Sequence, residues 1–128
     1  MIYGIGTDIV QIARIRRALD RHGEAFAARI LADIEWEEWQ AVRDQARFLA
    51  KRFSAKEAFG KALGIGISPP ATFHALIVQH DKQGKPEFAY DDALASHMKS
   101  NALRAFLSLT DEKEYVVAFA VIECRGET

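Results

Sequence analysis

FLAKRFSAKEAFGKALGIG, residues Phe48–Gly66, is the stretch whose periodicity fixes the reading of the whole chain. At about 100° per residue, Phe48, Ala55, Ala58, Phe59, Ala62 and Leu63 fall in one broad arc, so the spacing predicts an amphipathic helix with that face toward a core. Ser54, Glu57 and Lys61 fall on a second line. Their separations of three, four and seven stack a hydroxyl, a carboxylate and an ammonium along one side of the helix. Gly64 and Gly66 are expected to end it. Glutamate and lysine four apart are also a common stabilising surface pair, worth ~0.2–0.5 kcal/mol. Ser54-Ala-Lys-Glu57 further has the form of a capping box, in which Ser54 would start a helix. A second acidic position near the N-terminus tips the column toward chemistry.

Ile2–Ile5 reads as a short strand that turns at Gly6, and Asp8-Ile-Val-Gln11 again has the capping-box form. Ile12, Ile15 and Leu19 then continue a helix face that Gly23 can terminate. The local pattern therefore favours Asp8 as an N-cap. The same carboxylate, at a glycine-flanked junction of strand and helix, is also placed to hold a metal beside a phosphate. On the far side of this first helix Arg14, Arg17 and Arg21 lie within about sixty degrees of one another, with no acid among them. Such a basic stripe suits an acidic partner.

Glu24–Leu31 suggests a further helical piece, and Trp36 and Trp39 sit as helical neighbours expected in the core. Beyond a Gly/Pro loop at Gly64–Pro70, Phe73–His80 and Glu87–Tyr90 read as strands joined by the turn residues Gln83-Gly-Lys-Pro86. Asp91 or Asp92 can cap a helix running toward Ala102, and Leu103–Leu109 with Tyr115–Glu123 make a last hairpin. Helices cluster early and strands late, an α+β pattern within a single domain of 128 residues.

Lys plus Arg number 17 against 18 for Asp plus Glu, a balance that argues against charge-driven nucleic-acid binding. No apolar run approaches the ~18 residues of a membrane span, and Met1–Thr7 lacks the features of a signal peptide, so a cytoplasmic protein without membrane partners is expected. Cys124 is the only cysteine and is assigned no chemistry. None of the four histidines has a partner at metal-ligand spacing, so a zinc site is not expected.

Taken together, Gly4-Ile-Gly-Thr-Asp8, the block Lys56-Glu-Ala-Phe-Gly-Lys-Ala-Leu-Gly64, Gly84-Lys-Pro86 and Ser108-Leu-Thr-Asp111 resemble the holo-acyl-carrier-protein synthases, the small bacterial type of phosphopantetheinyl transferase. The likeness runs nearly end to end. One departure is Phe106, where the family often has a histidine. The resemblance implies a phosphopantetheinyl transferase fold with helices packed on a small, mainly antiparallel sheet, assembled as a trimer with active sites at subunit boundaries. It also implies transfer of the phosphopantetheine arm of coenzyme A to a serine of apo acyl carrier protein, in support of fatty acid synthesis.

The same resemblance makes Asp8 and Glu57 the ligands of a Mg²⁺ ion, which suits two hard carboxylates without histidine or thiolate. Lys61, one turn beyond Glu57, would bring a positive charge to the phosphate. Arg52, Ser54, Lys61, Gly64, Gly66 and Pro86 are the positions expected on the coenzyme A side, with Lys56 as an additional phosphate contact. Arg14, Arg17 and Arg21 are expected to dock the acidic carrier. Glu57, a metal-bound water and Asp111 all stand as acceptors for the serine proton.

Overall fold

Apolar periodicity and turn residues divide the chain into ten elements in the computed structural model, which describes residues 1–126. In order they are β1 (Ile2–Gln11), α1 (Ile12–His22), α2 (Glu24–Ile30), α3 (Asp33–Ala41), α4 (Gln45–Leu63), β2 (Leu76–His80), β3 (Pro86–Tyr90), α5 (Asp92–Ser100), β4 (Leu103–Asp111) and β5 (Tyr115–Cys124). Strands β1, β5 and β4 pair antiparallel in that order, and β2 and β3 form a separate hairpin. This is the expected α+β architecture. Its earliest and latest strands are neighbours: Ile2 stands opposite Glu123, and the Cys124 amide donates to the Met1 carbonyl at 2.7 Å.

The nineteen residues of α4 run through the middle of the molecule. Asp44 caps it by accepting from the Arg47 amide at 3.1 Å. At the other end Gly64 takes φ +93° and returns its amide to the Gly60 and Lys61 carbonyls, a left-handed stop that suits glycine. The upper half of α4 packs Leu49 and Ala50 against Ile12, Ile15, Ile30 and Trp39. The lower half packs Ala55, Phe59 and Leu63 against Leu76, Leu94 and Ile122. Both apolar clusters therefore share one helix, which is buried on nearly every side.

Strand β1 lies across α4 at backbone contact. Alternation turns Gly4, Gly6, Asp8 and Val10 inward and Ile5, Thr7 and Ile9 outward. A Cβ on Gly4 would overlap the Ala62 carbonyl oxygen, and one on Gly6 would overlap that of Ala58 and stand 2.7 Å from the Ala62 nitrogen. Glycine is required at both places by lack of room.

Two capping expectations are overturned. Asp8 is no N-cap: it lies inside β1 opposite Ala118, and the strand continues to Gln11 before α1 begins at Ile12. A ladder of pairs with β5 satisfies backbone groups continuously, which outweighs one local cap, and the Ile12 amide is taken by the Glu114 carbonyl at 2.9 Å. Ser54 likewise does not start a helix. Ala46, Leu49 and Ala50 extend the buried face a further two turns upstream, so Ser54 falls mid-helix and its hydroxyl bonds back to the Lys51 carbonyl at 3.3 Å. The strand expected over Phe73–His80 is shorter than its apolar pattern, because Thr72 accepts from the Ala75 amide and holds a turn before Leu76.

The helix–strand contact predicts that Gly6→Ala lowers stability by about 1–3 kcal/mol or more, since backbone atoms rather than a movable side chain block the added methyl. Gly126→Ala, which meets nothing within 4 Å, is the control and should melt like the parent. Thermal unfolding of the two variants side by side checks both outcomes.

Candidate active site

The close approach of β1 to α4 sets an aspartate against a lysine. From α4, the Lys61 ammonium donates to the Thr7 carbonyl at 2.9 Å and to Asp8 Oδ1 at 3.3 Å. The lysine side chain is 53% exposed and the aspartate 15%, so the pair sits at the lip of a cleft lined by Thr7, Asp8, Ile9, Lys61 and Val117. Asp8 Oδ2 points into buried space and has no hydrogen-bond partner among the described residues. A buried, unsatisfied carboxylate oxygen is costly and calls for a partner such as a cation or a water.

Glu57, four residues before Lys61 on α4, stands beside this pair. Burial pushes its carboxyl above the usual glutamate range, the Asp8 charge pushes it further up, and Lys61 opposes both. Burial also raises Asp8, against the hydrogen bond and charge of Lys61. Two carboxylates that are both harder to ionise than usual, with one cation at the rim, form a site short of positive charge. Asp8, Glu57 and Lys61 are thus brought together as the sequence suggested.

Other expected members are not. Ser54 is fully buried and never reaches the cleft, so its place in the polar column does not open to a ligand. Arg52 is only 3% exposed; it donates to Glu35 Oε2 and Glu38 Oε1, each at 3.3 Å, and to the Val78 carbonyl, and its guanidinium rests 4.3 Å from the centre of the Phe48 ring. Lys56 is fully buried and donates to Glu35 Oε1 at 2.6 Å and to the carbonyls of Ile30 and Phe73. Both cations are consumed by an internal carboxylate, because neither can be buried unpaired. Glu35 was missed by the sequence reading, although it shares a helix face with Trp39 four residues on, and that spacing marks it as buried.

Gly64 and Gly66 keep positive φ with open space on their side-chain sides just beyond Lys61, which leaves the backbone approachable there. Pro86 begins β3 and lines a different groove with Lys85, Arg104 and Phe106, so within one chain it does not meet Asp8. Phe106 lies on the outward sheet face, paired across β4 and β5 with Val121, and the Arg104 guanidinium sits 4.9 Å from its ring centre. Asp111 is held by Arg47 at 2.7 Å and Lys51 at 3.4 Å. It lies two strands across and two residues along from Asp8, roughly 12 Å away by strand spacing and rise, beyond hydrogen-bond reach. Arg14, Arg17 and Arg21 are exposed and line one groove of α1 with Ala18 and His22.

A model of the 4'-phosphopantetheinyl transferase superfamily matches residues 4–120, which include every member of this cluster. The chain belongs to that superfamily. Within it, a protein of Azoarcus sp. (strain BH72) named holo-[acyl-carrier-protein] synthase is 66% identical over 98% of this chain and 100% of its own length. The crystal structure of the Neisseria meningitidis holo-[acyl-carrier-protein] synthase is similar with a TM-score of 0.93 at 47% identity, covering 96% of this chain and 99% of that one. A Bacillus anthracis holo-(acyl-carrier-protein) synthase, solved in complex with CoA (3',5'-ADP), gives 0.82 at 34% identity over 97% and 98% of the two chains. The family expectation from the sequence motifs is borne out, and this phosphopantetheinyl transferase has its Asp8–Lys61 cluster inside the matched region.

Because the folded state raises the pKa of Asp8 above its unfolded value, that carboxyl contributes stability which is full below the ordinary carboxylate range and is lost as pH rises through the raised value. Asp8→Asn should therefore melt at or above the temperature of the parent at about pH 7, with the difference closing at about pH 3. An N-cap would give the reverse at neutral pH, a loss of about 0.5–2 kcal/mol. Melting curves at the two pH values separate the outcomes.

Proposed function

We propose that this chain transfers the 4'-phosphopantetheine group of coenzyme A to a serine hydroxyl of apo acyl carrier protein, releasing adenosine bisphosphate, at a site built from Asp8, Glu57 and Lys61. The observation that carries the reading is the unpartnered, buried Asp8 oxygen beside a second desolvated carboxylate and an exposed lysine. Asp8 and Glu57 are the donors that would hold Mg²⁺, since hard oxygen ligands with room for phosphate and water suit that ion. When bound, it would act as a Lewis acid on the pyrophosphate.

Lys61, itself 53% exposed, can turn from Asp8 Oδ1 to a phosphate oxygen. There it neutralises charge on the group that departs. Glu57, beside the Asp8–Lys61 pair, stands as an acceptor for the proton of the attacking serine. Asp111 is engaged elsewhere in the same chain. Coenzyme A and an acyl carrier protein are the partners this reaction requires, and no helix among the described residues is long and apolar enough to cross a membrane. We place the reaction in the cytoplasm.

A homotrimer with sites at subunit boundaries fits the outward sheet face. Ile5 and Ile9 are 59% and 64% exposed there, beside Phe119, and an apolar face of this kind on a lone chain invites a second copy. A boundary site would also let the Pro86 groove of one copy approach the Asp8 cluster of another.

Incubating the protein with coenzyme A, Mg²⁺ and apo carrier should add the mass of phosphopantetheine to the carrier, and an unmodified carrier overturns the reading. In the same assay Asp8→Ala and Glu57→Ala should stay folded and inactive, and Mg²⁺ should raise the melting temperature of the parent but not of either variant. Lys61→Met should slow transfer by about 10²-fold or more at saturating substrates; were it only a partner of Glu57 on the helix surface, the rate would hold and stability would change by ~0.2–0.5 kcal/mol.

The groove of Arg14, Arg17 and Arg21 is the proposed dock for the acidic carrier, since oppositely charged surfaces raise association rate and fix orientation. Arg14→Glu with Arg21→Glu should raise the KM for apo carrier and leave that for coenzyme A in place. Added salt should weaken the parent more than the variant. Unchanged carrier KM and salt response would move docking to another face.

A further inference from the structure

Glu35 is 2% exposed, and its two oxygens receive four donors from three separate parts of the chain. Oε1 accepts from the Ala32 amide at the start of α3, at 2.9 Å, and from Lys56 of α4 at 2.6 Å. Oε2 accepts from Arg52 of α4 at 3.3 Å and from the Val78 amide of β2 at 2.9 Å. A carboxylate so saturated has one orientation, and everything bonded to it shares that orientation.

The elements it joins carry the two surfaces that a boundary site would bring together from neighbouring copies, the Glu57–Lys61 side of α4 and the Pro86 groove. Lys56 is the residue before Glu57 on α4, so holding Lys56 on one side of the helix sets the direction in which Glu57 and Lys61 leave the other. Val78 belongs to the hairpin whose far strand begins with Pro86. The carrier-docking stripe lies on α1, which meets α4 through Ile12, Ile15 and Leu49 and makes none of these four bonds.

We infer that Glu35 is a positioning residue for the transfer reaction, holding α4 and the β2–β3 hairpin of one copy in a fixed relation, so that its Glu57 and Lys61 are set toward one boundary site while its Pro86 groove is set toward the neighbouring one. The inference rests on the transferase reading above. A carboxylate that merely glues the core would affect stability alone, and the kinetics of folded molecules separate the two roles.

The test is Glu35→Gln together with the volume-filling pair Glu35→Leu/Lys56→Met, which removes the Glu35–Lys56 ion pair as a unit while Arg52 keeps Glu38 and the Val78 carbonyl. Replacements of that kind often keep or raise stability. Melting curves first identify temperatures at which each variant is fully folded. There the KM for coenzyme A should rise and kcat should fall, together costing roughly tenfold or more in kcat/KM, as small misplacements of reacting groups do. The KM for the carrier should stay within about twofold of the parent, because the α1 stripe is untouched. Wild-type kinetics in the stable double variant overturn the inference, and so does a parallel rise in carrier KM, which would mean a general loosening. If the parent itself fails to modify the carrier, the transferase reading has failed and not this one.

Discussion

The constraint on which the rest depends is the distance between one strand and one helix. With no side chains at Gly4 and Gly6, β1 rests directly on the carbonyl oxygens of Ala58 and Ala62, and the next inward residue of the strand is Asp8. The aspartate therefore enters beside the last turn of α4, where Lys61 can reach both it and the Thr7 carbonyl. Moving the strand outward by a single methyl would separate the carboxylate of the sheet from the carboxylate and ammonium of the helix. A packing detail and a chemical one are thus the same fact.

Charge on α4 is divided between two opposite environments. Arg52 and Lys56 are turned into the protein, where Glu35, Glu38 and backbone carbonyls accept from them, whereas Lys61 meets Asp8 at the lip of a cleft and the second aspartate oxygen, buried there, goes unanswered. The first arrangement is complete and rigid. The second is incomplete: two carboxylates stand beside one ammonium, a deficit of positive charge that a cation would fill.

Much of this was legible in the residues. The buried arc of Ala55, Ala58, Phe59, Ala62 and Leu63, the stop at Gly64, the Asp91 cap of α5 and the final hairpin follow from periodicity and turn chemistry, and each is local. The misreadings came where a distant partner decides. Asp8 has every local feature of a cap, but β5, more than a hundred residues away, pairs with it first. Arg52 and Lys56, expected at the phosphates of coenzyme A, are turned inward by Glu35, whose approach from another helix a helical wheel cannot display. The family resemblance placed Asp8 and Glu57 together where periodicity alone gave the aspartate to a cap.

The pairing of β1 with β5 also has a consequence for how the protein is made. Residues 2–11 leave the ribosome more than a hundred residues ahead of the strand they must bond, 115–124. Until then β1 carries outward isoleucines and an unpaired edge, and Asp8 has no strand to hold it against α4. Closing a loop of that length costs entropy before it returns any, so the sheet forms late and the helices around α4 are the part able to fold during synthesis. A nascent chain short of β5 leaves Asp8 without the strand that pairs with it.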